Sequence, residues 1–428
     1  MTNTTGQVHA IRGERPLSHE ELQAHLVQVF RLENVGVLLG AGASKDAGGL
    51  LMGELWSYFA ANFPTEMQWC KDQKFLAPDF PTNAPNIEVF ADTLTDAEKE
   101  WERTLAAWPS SSSPPDLDGL RSAIRAVRRS VIHAARLDPS LWAEPAGQQA
   151  RDRLADHRRL LTRLVASRQP GQPSASVFTT NYDLALEWTA ESLGIEPKTG
   201  FLGIHQRKFS PQTFDLVPRN ALARGEASLG SYAVGIVKLH GSLTWRVDEQ
   251  TGDLIEHPAG QLDQSFRDFI AGTLDSLPAH LIYPSSAKYR QTIQFVFGEL
   301  FRRFNEFLAR PQAALIVCGY SFSDDHLNRI ILAGLLNPTL QVVVYYREME
   351  EKDGKLVLKD WAPPQLKSLF DLNLPRVTFV GGGDIGIFRA MTEDLPDPAT
   401  TDDPASAAQA LLRLARKAVS PSAKGSSS

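Results

Sequence analysis

Apolar and polar positions along the chain follow two periods. Ser18 stands three residues before Glu21, the spacing of a capping box, and Leu22, Leu26, Val29 and Phe30 then recur on one helical face. This pattern predicts a helix beside the strand that follows. That strand, Val35-Gly36-Val37-Leu38-Leu39, is apolar or small throughout and does not alternate, as expected of a parallel strand covered on both faces. It ends abruptly in Gly40-Ala41-Gly42-Ala43-Ser44, where glycine allows a sharp turn and a close approach of bare backbone. Amides at the mouth of a following helix attract a diphosphate through unpaired N–H groups and the helix dipole. The next helix is predicted over 50–61, with Leu51, Leu55, Tyr58 and Phe59 turned inward.

Residues 1–16 read as a flexible arm. From 64 to 170 helices are separated by irregular pieces, including a loop at Pro109-Ser110-Ser111-Ser112-Ser113-Pro114-Pro115, which predicts a helical insertion. Within it Arg121, Arg125, Arg128 and Arg129 form a basic stripe at near-helical spacing. The stripe is either a solvated helix face or a surface for a partner or nucleic acid, and no aromatic residues interleave it as in a single-strand binder. Strand-like runs return at 175–179, 235–239, 280–283, 314–318, 341–345 and 376–380. Helical segments lie between them, for example 293–308 with Phe297, Leu300, Phe301 and Phe304 recurring. This alternation predicts an α/β fold, a Rossmann-like parallel sheet with helices on both faces, spanning 17–395. Residues 396–428 read as one helix and a disordered tail.

Composition narrows the class. The 428 residues are 43% hydrophobic and 22% charged, and no run approaches a membrane span. The first residues lack a basic start followed by an apolar core, so no secretory signal is expected. With only 2 cysteines, Cys70 and Cys318, the cytoplasm is the expected compartment, and a four-cysteine zinc site within one chain is excluded. A formal charge of -6 gives no electrostatic footprint for wrapping nucleic acid. No direct sequence-specific nucleic-acid binding and no membrane partner are expected.

Candidate chemistry lies at the strand ends, where open α/β sheets bind ligands. The strands are followed by Gly40-Ala41-Gly42-Ala43-Ser44, Thr179-Thr180-Asn181-Tyr182-Asp183, Lys238-Leu239-His240-Gly241-Ser242 and Gly319-Tyr320-Ser321-Phe322-Ser323-Asp324. The glycine turn fits neither common nucleotide loop. Lys45 occupies the third glycine position of G-x-G-x-x-G, and no Gly-Lys stands where a nucleoside-triphosphatase loop needs it. Each segment also has a plain reading: Asn181 and Asp183, or Ser321 and Asp324, as helix caps, and His240 as a hydrogen-bonded core histidine. Their joint, ordered appearance favours function.

The ordered set G-A-G-x-S, T-x-N-x-D, L-H-G and G-x-S resembles the sirtuins, an NAD-consuming family, over roughly residues 30–50 and 174–345. The resemblance implies NAD+ as substrate and no metal. By that likeness Gly40, Ala41, Gly42 and Ser44 cradle the diphosphate, with Thr180 also on the nucleotide. Asn181 and Asp183 hold the nicotinamide ribose and carboxamide, His240 is the catalytic base, and Gly319 and Ser321 line the adenosine end. The chain departs from the deacylase pattern. After the first motif it reads Ala47-Gly48-Gly49-Leu50-Leu51-Met52 in place of A-G-I-P-D-F-R, and the zinc-module cysteines are absent. It is in this more similar to the sirtuin-like proteins of bacterial anti-phage defence. That implies NAD+ hydrolysis to nicotinamide and ADP-ribose, abortive infection by NAD+ depletion, a homo-oligomer, and a HerA-type hexameric ATPase as partner. Protein deacylation or ADP-ribosyl transfer uses the same residues with another acceptor, and a non-catalytic NAD-sensing or assembly module is the remaining alternative.

Overall fold

The apolar run at 34–39 stands inside a nine-stranded sheet. The computed structural model describes residues 8–80, 87–107, 116–168, 172–216, 232–248, 250–275 and 287–397. In chain order the sheet strands are β1 (Ala10–Arg12), β2 (Arg15–Leu17), β3 (Asn34–Leu39), β4 (Ser176–Thr179), β5 (Glu196–Lys198), β6 (Ala233–Lys238), β7 (Ala313–Cys318), β8 (Gln341–Tyr346) and β9 (Val377–Gly381). Their order across the sheet is β2-β1-β9-β8-β7-β3-β4-β6-β5. From β9 to β5 all neighbours are parallel, and β1 and β2 close one edge antiparallel. Strands following β3 in sequence are laid on one side of it, and β7, β8 and β9 return on the other, so the topological switch point falls between β3 and β7. Leu39 pairs with both Cys318 and Thr179, and Thr179 with Lys238. These four strand ends are therefore level.

The unalternating pattern of β3 has the expected cause. Val35, Val37 and Leu39 pack among Leu22, Leu26, Leu160, Leu164 and Leu186 of the helices His19–Phe30, Ala155–Ala166 and Ala185–Leu193. Leu38 points the other way, into a core with Phe178, Phe304, Phe307 and Leu327. Gly36 is glycine because the Phe307 ring fills its place: a Cβ there would stand 2.5 Å from the ring. The capping box is formed, with Ser18 Oγ accepting from the Glu21 amide at 3.3 Å and Glu21 accepting from the Ser18 amide at 3.0 Å.

Several expectations change. Residues 10–12, 15 and 16, read as arm, belong to strands: Ala10 and Leu17 are buried, and β1 covers the edge of β9. The helix expected over 50–61 is Met52–Asn62. Trp56 takes the buried place expected of Tyr58, and Tyr58 stacks on His133 at 4.0 Å. Helices Pro64–Asp72, Ile87–Ala107 and Leu117–Ala135 share a core with Trp56, Phe59, Phe90, Leu120 and Val127. Ala155–Ala166, placed by sequence within the insertion, instead covers the sheet. The arginine stripe is largely used inside the fold: Arg121 pairs with Glu98 at 3.0 Å and with Glu102 at 2.5 Å, and Arg129 donates to the Phe269 carbonyl at 2.8 Å. An antiparallel four-stranded sheet (Phe201–Leu202, Arg207–Phe209, Leu254–Glu256, Trp245–Val247) was not anticipated. The predicted strand 280–283, the loop 109–115 and the C-terminal helix and tail from 398 onward lie outside the described residues.

Candidate functional site

At the level ends of β3, β4, β6 and β7 lies a cavity of about 510 Å³. Every residue singled out from sequence lines it: Gly40, Ala41, Gly42 and Ser44 after β3, Thr180, Asn181 and Asp183 after β4, His240 after β6, and Gly319 and Ser321 after β7. Tyr182, Lys45 and Asp46, which the sequence left unplaced, line the same cavity.

The glycine turn owes its composition to a neighbouring backbone. Ala41–Ser44 forms a short 3-10 turn lying directly on the loop after β7. A Cβ on Gly40 would stand 2.5 Å from the Gly319 carbonyl oxygen, and one on Gly42 would stand 2.7 Å from Gly319 Cα. Gly319 has φ +68 and would press a Cβ to 2.5 Å from the Ala43 nitrogen, so glycine is required there twice over. The Gly40 amide donates to the Cys318 carbonyl at 3.1 Å, Gly42 to Gly319 at 3.0 Å, and Ala43 to Gly40 at 2.9 Å. The expectation that the turn presents unpaired amides to a diphosphate is corrected at these positions. Loop-to-loop packing consumes them.

The polar centre is a connected set. Ser44 Oγ donates to Asp183 Oδ2 at 2.6 Å, and Asn181 Nδ2 donates to Ser44 Oγ at 2.8 Å and to the Gly40 carbonyl at 3.0 Å. Asp183 Oδ1 also accepts from the Ala185 amide at 3.0 Å. One carboxylate thus both receives the first amide of the helix Ala185–Leu193 and lines the cavity. Lys238, buried at the end of β6, bonds the Asp183 carbonyl and pairs with Glu187 at 2.9 Å. It ties the Asn181–Asp183 segment to the strand that delivers His240. Burial pushes the Glu187 carboxyl up, and Lys238 pulls it back only in part.

Also lining the cavity, His240 Nε2 meets Asp324 Oδ2 at 2.8 Å. Asp324 Oδ1 accepts from the His326 and Leu327 amides at 2.8 and 3.1 Å, capping the helix Asp325–Gly334. Burial pushes this carboxyl up, but the His240 contact and the helix amides outweigh it, and its pKa lies below the ordinary aspartate value. Sequence reasoning saw only the cap. The contact with His240 spans 84 residues, so no local signal announces it. Tyr320 OH donates to Asn328 Oδ1 at 3.1 Å, and Phe322 holds φ +57, a left-handed conformation uncommon for a bulky side chain. Ser321 bonds Ser323 at 2.8 Å on the exposed side of this loop.

The opposite wall is apolar and comes from the insertion and its approach: Leu50, Leu51, Leu55, Ile87, Val131 and Leu137. The arrangement can therefore orient a polar ligand over the strand ends and limit water beside it. Among the described residues no group of three or more metal-ligating side chains occurs, and no helix is long and apolar enough to cross a membrane.

Residues 175–361 match the family model described as a SIR2-like domain. The match supports a place in the sirtuin-like superfamily and is compatible with NAD-related activity. It begins at β4, runs beyond β8 and includes Asn181, Asp183, His240, Gly319 and Ser321. The glycine turn precedes the matched span and joins it through the pairing of β3 with β4 and β7. No curated protein matches the chain.

Proposed function

We propose that this chain is an NAD+ glycohydrolase. The observation that supports it is that the hydrogen-bonded set Asn181, Ser44 and Asp183 lines the same cavity as His240 at the switch point of the sheet. In the reaction the bond between nicotinamide N1 and ribose C1′ breaks, and its electron pair leaves with the ring, which departs neutral. The oxygen of water bonds C1′, and the water proton passes to His240. The products are nicotinamide, ADP-ribose and a proton. The leaving group is already cationic, so orientation and polarity carry most of the barrier reduction. Asn181 orients the water or a ribose hydroxyl, and Asp183, fixed by Ser44 and the Ala185 amide, receives the nicotinamide amide. Asp324 compensates the charge that His240 gains on taking the proton.

The biological reading is anti-phage defence by NAD+ depletion, with a homo-oligomer working beside a HerA-type ATPase. It rests on the resemblance of the motifs and the missing deacylase features. The test is to incubate purified chain with NAD+, alone and with a co-expressed neighbouring ATPase, and to identify products. Nicotinamide and ADP-ribose should appear and vanish in Asn181→Ala and His240→Ala; undiminished release in both variants would sink the assignment. The apolar wall favours one second reading, NAD-dependent protein deacylation, in which the acyl group of an acyl-lysine passes to ADP-ribose and the lysine leaves as the free amine. Consumption of an acyl-lysine peptide in step with NAD+ would establish it over hydrolysis.

A further inference from the structure

The Ser44 side chain is buried, and its single hydroxyl hydrogen is spent inside the protein. It donates to Asp183 Oδ2 at 2.6 Å and accepts from Asn181 Nδ2 at 2.8 Å. Phosphate oxygens at neutral pH need a donor, and this hydroxyl has none left to give. Gly49 boxes the side chain in: a Cβ at Gly49 would stand 3.1 Å from Ser44 Cβ, and the Gly49 amide donates to the Ser44 carbonyl at 2.9 Å. The same bonds fix which way Asn181 faces. Its Nδ2 carries two hydrogens, and the second goes to the Gly40 carbonyl at 3.0 Å. A carbonyl can only accept, so the amide cannot be turned over, and Oδ1 is the polar atom of that side chain left for a ligand.

We propose that Ser44 is a positioning residue, whose hydroxyl holds the Asn181 amide and the Asp183 carboxylate in fixed relation and does not itself touch the substrate. The assignment rests on reading the cavity as a glycohydrolase site. With both Nδ2 hydrogens committed, Asn181 acts on the reacting groups as an acceptor only. Its Oδ1 takes a hydrogen from the attacking water or from a ribose hydroxyl and so sets the direction of that oxygen's lone pairs. Removing the Ser44 hydroxyl leaves each partner one anchor, the Gly40 carbonyl for Asn181 and the Ala185 amide for Asp183. Each side chain can then swing about that anchor. The loss falls on the orientation of the reacting groups, where a misplacement of about 1 Å costs about 100-fold in rate.

The experiment measures steady-state nicotinamide release from NAD+ and calorimetric binding of ADP-ribose by the full-length protein, alone and with the co-expressed ATPase, for the parent, Ser44→Ala and Ser44→Thr. In Ser44→Ala kcat should fall about 10- to 100-fold, while KM and ADP-ribose affinity stay within about twofold of the parent. Ser44→Thr keeps the hydroxyl and should restore most of the rate. Melting temperatures separate loss of rate from loss of fold, and where the added methyl prevents folding, the split between kcat and affinity in Ser44→Ala decides alone. An unchanged kcat in Ser44→Ala would overturn the assignment while leaving the glycohydrolase reading intact. So would a fall in ADP-ribose affinity as large as the fall in kcat, which would make the hydroxyl a ligand contact, or a folded threonine variant as slow as the alanine one. A parent that releases no nicotinamide, alone or with the ATPase, would overturn both.

Discussion

Replacing Lys238 with methionine isolates the contribution of one buried charge to the framework of the site. Lys238 is 3% exposed, pairs with Glu187 at 2.9 Å, and reaches the carbonyl of Asp183 and Ser242 Oγ. Breaking a buried pair from one side typically costs about 3–5 kcal/mol, because the remaining charge is stranded. Here Glu187 limits the cost by taking a proton, and the sign of the pH dependence follows. Burial already raises its pKa above the ordinary glutamate value, and Lys238 is the group that lowers it. Without the lysine the folded-state pKa climbs further. The stability contributed by a raised carboxyl is fully present below its unfolded pKa and is lost as pH rises through the folded one. The variant should therefore lose stability relative to the parent as pH rises, by up to about 1.4 kcal/mol per pH unit within that window. Urea unfolding midpoints at pH 5 and pH 8 measure this. The double variant Lys238→Met with Glu187→Leu should recover much of the loss and remove its pH dependence. An equal deficit at both pH values in the single variant would refute the account.

Gly42→Ala forces a Cβ to 2.7 Å from Gly319 Cα, and since backbone meets backbone it should destabilise by about 1–3 kcal/mol in thermal melting. Asp324→Asn keeps the shape of the helix cap but removes the charge opposite His240. It should slow nicotinamide release on the order of 100-fold with little change in KM, measured by steady-state kinetics. Glu256 is pushed up to about 7, chiefly by burial, so parent stability should decline as pH climbs from the ordinary glutamate range to about 7. Glu256→Gln should flatten that decline in unfolding midpoints measured across the same window.

What the sequence disclosed followed from locality. β3 was readable because burial on both faces leaves an unbroken apolar run, and the glycine turn because only a special backbone needs two glycines beside a strand end. All ten candidate residues line one cavity, since the register of parallel strands carries sequence-separated ends to one level. Contacts between distant segments were not readable. β1 and β2 are too short to show a period and exist by virtue of β9. Asp324 satisfied a local reading as a helix cap, which concealed its second partner. The glycines looked like ligand punctuation, and the structure shows that their first obligation is to each other. The buried pair of Lys238 with Glu187 joins segments far apart in the chain, so nothing local marks it.

That mutual obligation has a consequence for how the protein tolerates change. Gly40, Gly42 and Gly319 form a seam in which each main chain is the wall of the next, so no side-chain exchange on one side can compensate for a substitution on the other. The three positions behave as a single hereditary locus split across the gene. A library varied at all three should return survivors carrying glycine at each, where an ordinary packed contact would return many matched pairs.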